Sequence, residues 1–442
     1  MRIGLIAMSG IRACDAELLR LGLTLPGFVD RSKTIAALPS LGLLTLAGMT
    51  PAEHECVYLE VADIRALSTL PDGFDLVAIS SFSAQTNEGY ELADRYRAAG
   101  VPVVLGGLHV TALPDEAAQH ADAVVVGEGE PVWLDVLRDA QARRLKPVYR
   151  SDGRYDLSNA PMPAFHLLDL SKYNRLTVQT SRGCPWKCEF CASSILLTDQ
   201  YKQKPVARVL AEIDRICELW HHPFLEFADD NAFVNKRYWK ELLRELPSRH
   251  VHWFAETDLS VHEDDELLEL MRHSGCAEVL IGLESPSEPS LAGVELKTDW
   301  KRRRWPQYRD AVRRIQSHGI RVNGCFVLGL DGQTPAVFDS VLEFARDTEL
   351  FDVQITLMTP FPGTPLYDRL RRAGRLTQAG AWNRCTLFDV NFQPQGMTAD
   401  ELRAGLHRLA VELYGDELTK WRRDNFNHKY LHPAKRSSET AS

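Results

Sequence analysis

The chain reads as two consecutive α/β units, a doubly wound parallel sheet followed by a partial barrel of six β/α repeats, and three observations carry that reading. Short apolar runs, nearly continuous rather than alternating, recur through the first 145 residues, as parallel strands covered on both faces require. A second series of such runs, each followed by a helix-compatible segment, occupies residues 170–375, and regular βα alternation implies a parallel sheet. A CxxxCxxC run then follows the first strand of that second series, at the rim where β/α barrels carry their chemistry.

In the first unit, 1–145, strands are predicted at 2–8, 55–60, 75–80, 101–105 and 123–127, with helices such as 88–98 and 131–141 between them. This rhythm predicts a flavodoxin-like domain that binds ligands at the carboxyl ends of its strands. The loops there read Ser80-Ser81-Phe82-Ser83, Gly106-Gly107-Leu108-His109 and Gly127-Glu128-Gly129-Glu130. Glycines let backbone amides approach a bulky ligand, and serine hydroxyls can bond it, although any tight strand-to-helix turn also selects glycine. Residues 146–169 read as a linker.

The second unit has predicted strands at 176–181, 224–228, 251–256, 278–283, 321–328 and 352–358, and helices at 205–220, 236–246, 264–273, 306–318, 335–347 and 365–372. Asp264 and the pair Thr334-Pro335 mark helix starts, where a capping side chain precedes a helix-compatible first position. An extension, 376–432, contains the capping box Thr398-Ala-Asp-Glu401 followed by Leu402, Leu406, Leu409 and Leu413 at helical spacing. Trp382, Phe388 and Phe392 suit either a pocket wall or core packing. The polar stretch 433–442 reads as a disordered tail.

The cysteines are Cys184, Cys188 and Cys191, in Ser-Arg-Gly-Cys-Pro-Trp-Lys-Cys-Glu-Phe-Cys. Structural zinc takes four ligands from paired spacings, and the next cysteine, Cys217, lies far along the chain in a predicted helix. Three thiolates around one face of a four-iron, four-sulfur (4Fe-4S) cluster leave one iron open to a small molecule. Here the chain resembles the radical S-adenosylmethionine (SAM) superfamily, whose hallmark is this spacing with an aromatic residue, here Phe190, before the last cysteine. The resemblance implies a (β/α)₆ barrel in which SAM chelates the open iron and is cleaved to a 5′-deoxyadenosyl radical. It also implies SAM contacts from Phe190 beside the adenine, from Asp229, Asp230 and Asn231 after the second strand, from Glu256 and Glu284 at the ends of the third and fourth, and from Met358 after the sixth. Glu284 sits in Ile-Gly-Leu-Glu-Ser, similar to the family's Gly-Ile-Glu-Ser, and Pro-Phe-Pro-Gly-Thr-Pro-Leu-Tyr at 360–367 recurs in the branch that adds a cobalamin domain. Cys276 and Cys325 read most simply as buried thiols.

The first unit is similar to that cobalamin-binding domain through its Gly-Gly-x-His and Gly-Glu-Gly-Glu loops. The resemblance implies cobalamin contacts from Ser80, Ser81, Ser83, Gly106, Gly107, Gly127, Glu128 and Glu130. One departure stands out: the Asp-x-His-x-x-Gly that supplies an axial histidine is replaced by Met8-Ser-Gly-Ile-Arg-Ala-Cys14. No histidine ligand to cobalt is expected, and His109 reads as a loop residue hydrogen-bonded to backbone.

Composition excludes several classes. With 442 residues and 45% apolar content each unit can bury its own core. A net charge of −9 disfavours nucleic acid as a partner, and the run Lys301-Arg-Arg-Arg304 reads as a solvated face. No apolar stretch on the order of 18 residues suggests a membrane span, and nine cysteines, an odd number with three clustered, suit thiols in a reducing cytoplasm. The resemblance therefore implies a cobalamin-dependent radical SAM methyltransferase acting on an unactivated carbon of a small molecule, drawing electrons from a donor such as flavodoxin or ferredoxin. Ring formation without methyl transfer is the second reading. A methylthiotransferase would need a second cluster, and a non-catalytic sensor would need an output module; neither is evident.

Overall fold

A computed structural model describes residues 1–10, 12–20 and 38–431; the predicted tail lies outside them. The first sheet contains β1 (Arg2–Met8), β2 (Glu55–Val61), β3 (Leu76–Ser80), β4 (Val103–Gly106), β5 (Ala123–Val126) and β6 (Val148–Arg150). Their order is β2-β1-β3-β4-β5-β6 with every pairing parallel, the flavodoxin-like order with one strand added. Successive residues serve opposite faces. Ile3 and Leu5 pack with Leu43, Trp133 and Val136 beneath helices Leu41–Met49 and Glu130–Gln141, whereas Ile6, Val77 and Leu105 pack with Tyr90 and Tyr96 of helix Thr86–Ala98. β6 falls within the predicted linker. Only Tyr149 of its three residues is buried, so this edge strand has no apolar run to announce it.

The barrel holds β7 (Leu176–Val178), a two-stranded antiparallel ribbon of β8 (Ser181–Arg182) and β9 (Lys202–Gln203), and then β10 (Phe224–Ala232), β11 (His252–Thr257), β12 (Cys276–Glu284), β13 (Arg321–Leu328) and β14 (Asp352–Leu357). The barrel sheet runs β14-β13-β12-β11-β10-β7, all parallel. Six helices follow the strands on the outside: Val206–Leu219, Lys236–Glu245, Asp265–His273, Tyr308–Ser317, Ala336–Asp347 and Pro365–Arg372. The strand expected at 176–181 is shorter because the chain leaves the sheet after Val178 to form the ribbon. Helix Ala399–Tyr414 carries its capping box and buries Leu402, Leu406, Leu409 and Leu413 against the barrel. Among the described residues no helix is long and apolar enough to cross a membrane.

Charge pairs dock the two units. Arg182 donates Nη1–H to Glu128 Oε1 and Nη2–H to Glu130 Oε1, each at 2.7 Å, and Lys202 also meets Glu128, whose side chain has no solvent exposure. On the far side, Trp382 Nε1–H donates to Glu116 at 3.0 Å, and Asp389 accepts the amides of Cys14 at 2.8 Å and Asp15 at 2.9 Å. Burial works to raise the Glu130 pKa, but the Arg182 guanidinium overrides it and holds the carboxyl below its ordinary value. That contribution to stability is present above the ordinary glutamate pKa and is lost as pH falls through the lowered one. Arg182→Met strands the buried Glu130 carboxylate and leaves Glu128 to Lys202 alone, a change that costs on the order of 3–5 kcal/mol. Calorimetry of the full chain should show the first unfolding transition moved to lower temperature near neutral pH, the gap to the parent narrowing in acid; an unmoved transition would show that the pairs hold nothing.

Candidate functional site

The cysteine loop is shaped before any metal is considered. Gly183 has φ +85°, and a Cβ there would lie 2.4 Å from the Gln200 carbonyl oxygen, so only glycine fits between the β8–β9 ribbon and the loop. Asp229 Oδ1 accepts the amides of Thr180 at 2.7 Å and Ser181 at 2.9 Å, and Asp230 Oδ2 accepts that of Gly183 at 2.7 Å. Within the loop, Glu189 takes the two-pronged guanidinium of Arg369 at 2.9 and 2.6 Å, a geometry that fixes orientation as well as distance. On the outside, the Glu189 amide donates to Val294 O and the Leu296 amide to Lys187 O, both at 2.9 Å. Trp186 stacks on Trp300 with ring centroids 4.8 Å apart and donates Nε1–H to Asp258 at 2.8 Å.

Cys184, Cys188 and Cys191 thereby line one cavity of 330 Å³ at the barrel mouth, together with Phe190, Asp230, Asn231, Glu256, Glu284 and Met358. No three Cys, His, Asp or Glu side chains among the described residues are gathered closely enough to hold a single metal ion. Three thiols around a shared opening suit a multi-iron cluster rather than one tetrahedral ion. Burial pushes the Cys184 thiol up to about 11 and Cys188 up to about 12, so thiolate forms as a metal displaces the proton.

Asp229 corrects the sequence reading. Its carboxylate is consumed by Thr180 and Ser181, it is buried, and it does not line the cavity, whereas its neighbours Asp230 and Asn231 do. Asn231 is held by a mutual pair with Asp258, donating at 2.9 Å and accepting at 3.0 Å. Glu284 has φ +62°, a sparsely populated conformation for a non-glycine residue. Lys301 secures it: Nζ lies 2.7 Å from Glu284 Oε1 and 2.8 Å from Gly282 O. Sequence reasoning missed Lys301 inside a basic run. Helix Trp300–Arg304 turns it into the cavity wall while Arg302 and Arg303 stay exposed. Cys276 is buried as expected, but Cys325 lines the cavity. Leu387 of the extension, at φ +71°, also lines it and accepts the Leu357 amide at 2.7 Å. Trp382 and Phe392 are core residues, Phe392 having no exposure, and Phe388 is buried as well. Glu256 reaches into the cavity and its side chain is exposed there; the surrounding barrel wall limits its solvation and, with the negative charges of Glu226 and Asp230, pushes its pKa up to about 7.

A second cleft, of 310 Å³, opens between helix Leu41–Met49, the carboxyl ends of β3, β4 and β5, and the barrel residues Gln179, Arg182 and Leu197. Ser80, Gly106, Gly107 and Gly127 line it. Gly107 has φ +113°, and a Cβ there would meet Ser81 O at 3.3 Å and Ser80 Oγ at 3.4 Å, so a side chain would crowd the turn that shapes the floor. With Leu46, Val104, Val125 and Trp133 around these backbone edges, the cleft suits a flat, mostly apolar group. Ser81 and Ser83 do not line it; Ser83 Oγ instead pairs with His109 Nδ1 at 3.0 Å. Glu128 and Glu130 border the cleft, but their carboxylates are engaged by Arg182 and Lys202, so they brace the wall rather than face a ligand. His109 is buried, with Glu116 at 3.2 Å on Nε2; its partners are side chains rather than backbone, and burial lowers its pKa.

Known families match both units of the chain. Residues 33–137 match the B12 binding domain, 178–345 the radical SAM superfamily, and 364–441 a domain of unknown function. The chain is 32% identical over 370 residues to an uncharacterized methyltransferase of Synechocystis, covering 81% of this chain and 67% of that one. It is 27% identical to the bacteriochlorophyllide d C-12(1)-methyltransferase of Chlorobaculum tepidum, over 85% and 82% of the two chains. The fold matches that of TsrM, a radical SAM methyltransferase of Kitasatospora setae solved with cobalamin and a [4Fe-4S] cluster bound, with TM-score 0.64, 16% identity and coverage of 86% and 76%.

The raised Glu256 pKa has a consequence that needs no cofactor. Its stabilising effect is complete below the ordinary glutamate pKa and is lost as pH rises through about 7. Glu256→Gln removes this loss, so the melting temperature of the variant should fall slightly less than the parent's between about pH 5 and 7, the margin kept small by water in the cavity that screens the exposed carboxylate. Parallel pH profiles would show that the carboxyl titrates normally.

Proposed function

Because this chain belongs to the radical SAM family that carries an N-terminal B12-binding domain, we propose that it is a cobalamin-dependent methyltransferase moving a methyl group from SAM to an unactivated carbon of a small molecule. In this reading Cys184, Cys188 and Cys191 hold a 4Fe-4S cluster with one iron free for SAM. The cavity beside them takes SAM, and the cleft under Ser80 takes the nucleotide tail of cobalamin. When bound, these cofactors supply a carbon-centred radical and a cobalt-borne methyl group.

The chain's own residues bind and align. Asp230 and Asn231 present oxygen acceptors toward an ammonium group, and Glu284, pinned through one oxygen by Lys301, offers the other to hydroxyls. Phe190 and Met358 supply apolar contact for a flat base, and Trp186 and Leu387 complete the wall. The observation that carries the reading is the shared partition: Arg182, two residues before Cys184, lines the second cleft and is salt-bridged to its Gly-Glu-Gly-Glu loop. Two cofactor sites joined by one short stretch of backbone are what a reaction needing both at one carbon requires. None of the nine cysteines is joined in a disulfide, which supports a reducing, cytoplasmic setting, and the electron for SAM cleavage comes from a carrier such as flavodoxin or ferredoxin.

Anaerobically reconstituted protein should contain about four irons per chain and cleave SAM to 5′-deoxyadenosine, and Cys188→Ala should abolish cleavage. With the true substrate, S-adenosylhomocysteine should appear alongside 5′-deoxyadenosine and the product should gain one CH₂. Loss of two hydrogens without S-adenosylhomocysteine would instead mean ring formation and sink methyl transfer. Retained cleavage in the Cys188 variant would sink the cluster assignment.

A further inference from the structure

The basic run 301–304 is not an isolated solvated face. Residues 294–304 wrap the outside of the cysteine loop, where Cys188 and Glu295 form an antiparallel bridge. The buried Glu295 carboxylate fastens the two segments together, accepting the amides of Lys187 at 3.2 Å, Lys297 at 3.0 Å and Thr298 at 2.8 Å. Outward from this staple stands Leu296, 49% exposed, with the exposed side chains of Lys297, Arg302 and Arg303 along the same segment. Arg302 pairs with Glu288 and Arg304 with Glu263, while Lys297 and Arg303 have no carboxylate partner among the described residues.

From this juxtaposition we infer that residues 296–303 form the docking surface for an acidic one-electron carrier protein. The inference rests on the proposed function, since only reductive SAM cleavage calls for such a partner. An acidic protein is repelled by a chain of net charge −9 at large, so unpaired cations beside an exposed apolar side chain select the place and orientation of approach. A small apolar centre with a charged rim is also how transient interfaces are built. An electron delivered here enters beside Cys188, through a segment bonded directly to its loop. The step balances: the carrier loses one electron, and the C5′–S bond of the sulfonium breaks to give methionine and a 5′-deoxyadenosyl radical.

Flavodoxin, an acidic carrier, is the probe, used with the full-length holoenzyme. Isothermal titration calorimetry at low salt should show the double variant Lys297→Glu/Arg303→Glu binding oxidised flavodoxin about tenfold more weakly, equivalent to about 1.4 kcal/mol. The flavodoxin concentration giving half-maximal SAM cleavage should rise by a similar factor, while iron content and dithionite-driven cleavage stay unchanged. Flavodoxin affinity indifferent to both the reversal and salt would overturn the proposal. Should the double variant lose iron, Arg303→Glu alone carries the same binding measurement. Failure of dithionite to drive SAM cleavage in the unsubstituted enzyme would count against the proposed function instead, leaving the binding result to judge the surface.

Discussion

One guanidinium organises the molecule. Arg182 reaches from the entry of the cysteine loop into the N-terminal unit and satisfies two carboxylates of the Gly-Glu-Gly-Glu loop at once. Both glutamates are buried, where a lone carboxylate is costly and a well-oriented pair is tolerated. The pairing therefore constrains more than stability. Glu128 and Glu130 follow β5, Arg182 precedes Cys184, and the ribbon that contains Arg182 leaves room only for glycine at position 183. The second cleft and the cysteine cavity are thus joined directly by a few residues of backbone, beside the apolar contacts of Ala13, Leu18 and Leu44 with the barrel core.

A second principle is the unequal use of adjacent polar residues. Asp229 and Asp230 are neighbours at the top of β10, yet one is saturated by amides that shape the loop and the other also faces the cavity. Lys301 and Arg302 divide in the same way, the first pinning a carboxylate inside and the second paired at the surface. In each case one residue of the pair supports the architecture that presents the other.

Much of this was legible in the sequence. Parallel strands covered on both faces leave continuous apolar runs, so the two sheets and their order of appearance could be read directly, and three cysteines at short spacing declare themselves wherever they fall. Side-chain direction was less legible. The Gly-Glu-Gly-Glu loop reads as a ligand cradle, but only the fold shows that its glycines line the cleft while its carboxylates are bound to Arg182, a residue more than fifty positions away. β6 escaped because an edge strand with one buried residue has no period to detect. Lys301 escaped because a charge run says nothing of which member a short helix turns inward, and Ser83 because its partner His109 comes from a different loop.

The extension's grip on the beginning of the chain bears on how the protein is made. The amide of Cys14 finds its acceptor in Asp389, 375 residues later, and Asp15 meets His407 across 392. During synthesis the N-terminal sheet has all its strands once residue 150 emerges, and domains generally fold as units in that order. Its segment at 12–20 must nevertheless wait until Asp389 and His407 have been translated. The face that the extension covers is therefore sealed long after the first sheet is complete, and while the barrel is being made the nascent chain carries that face open to whatever it meets.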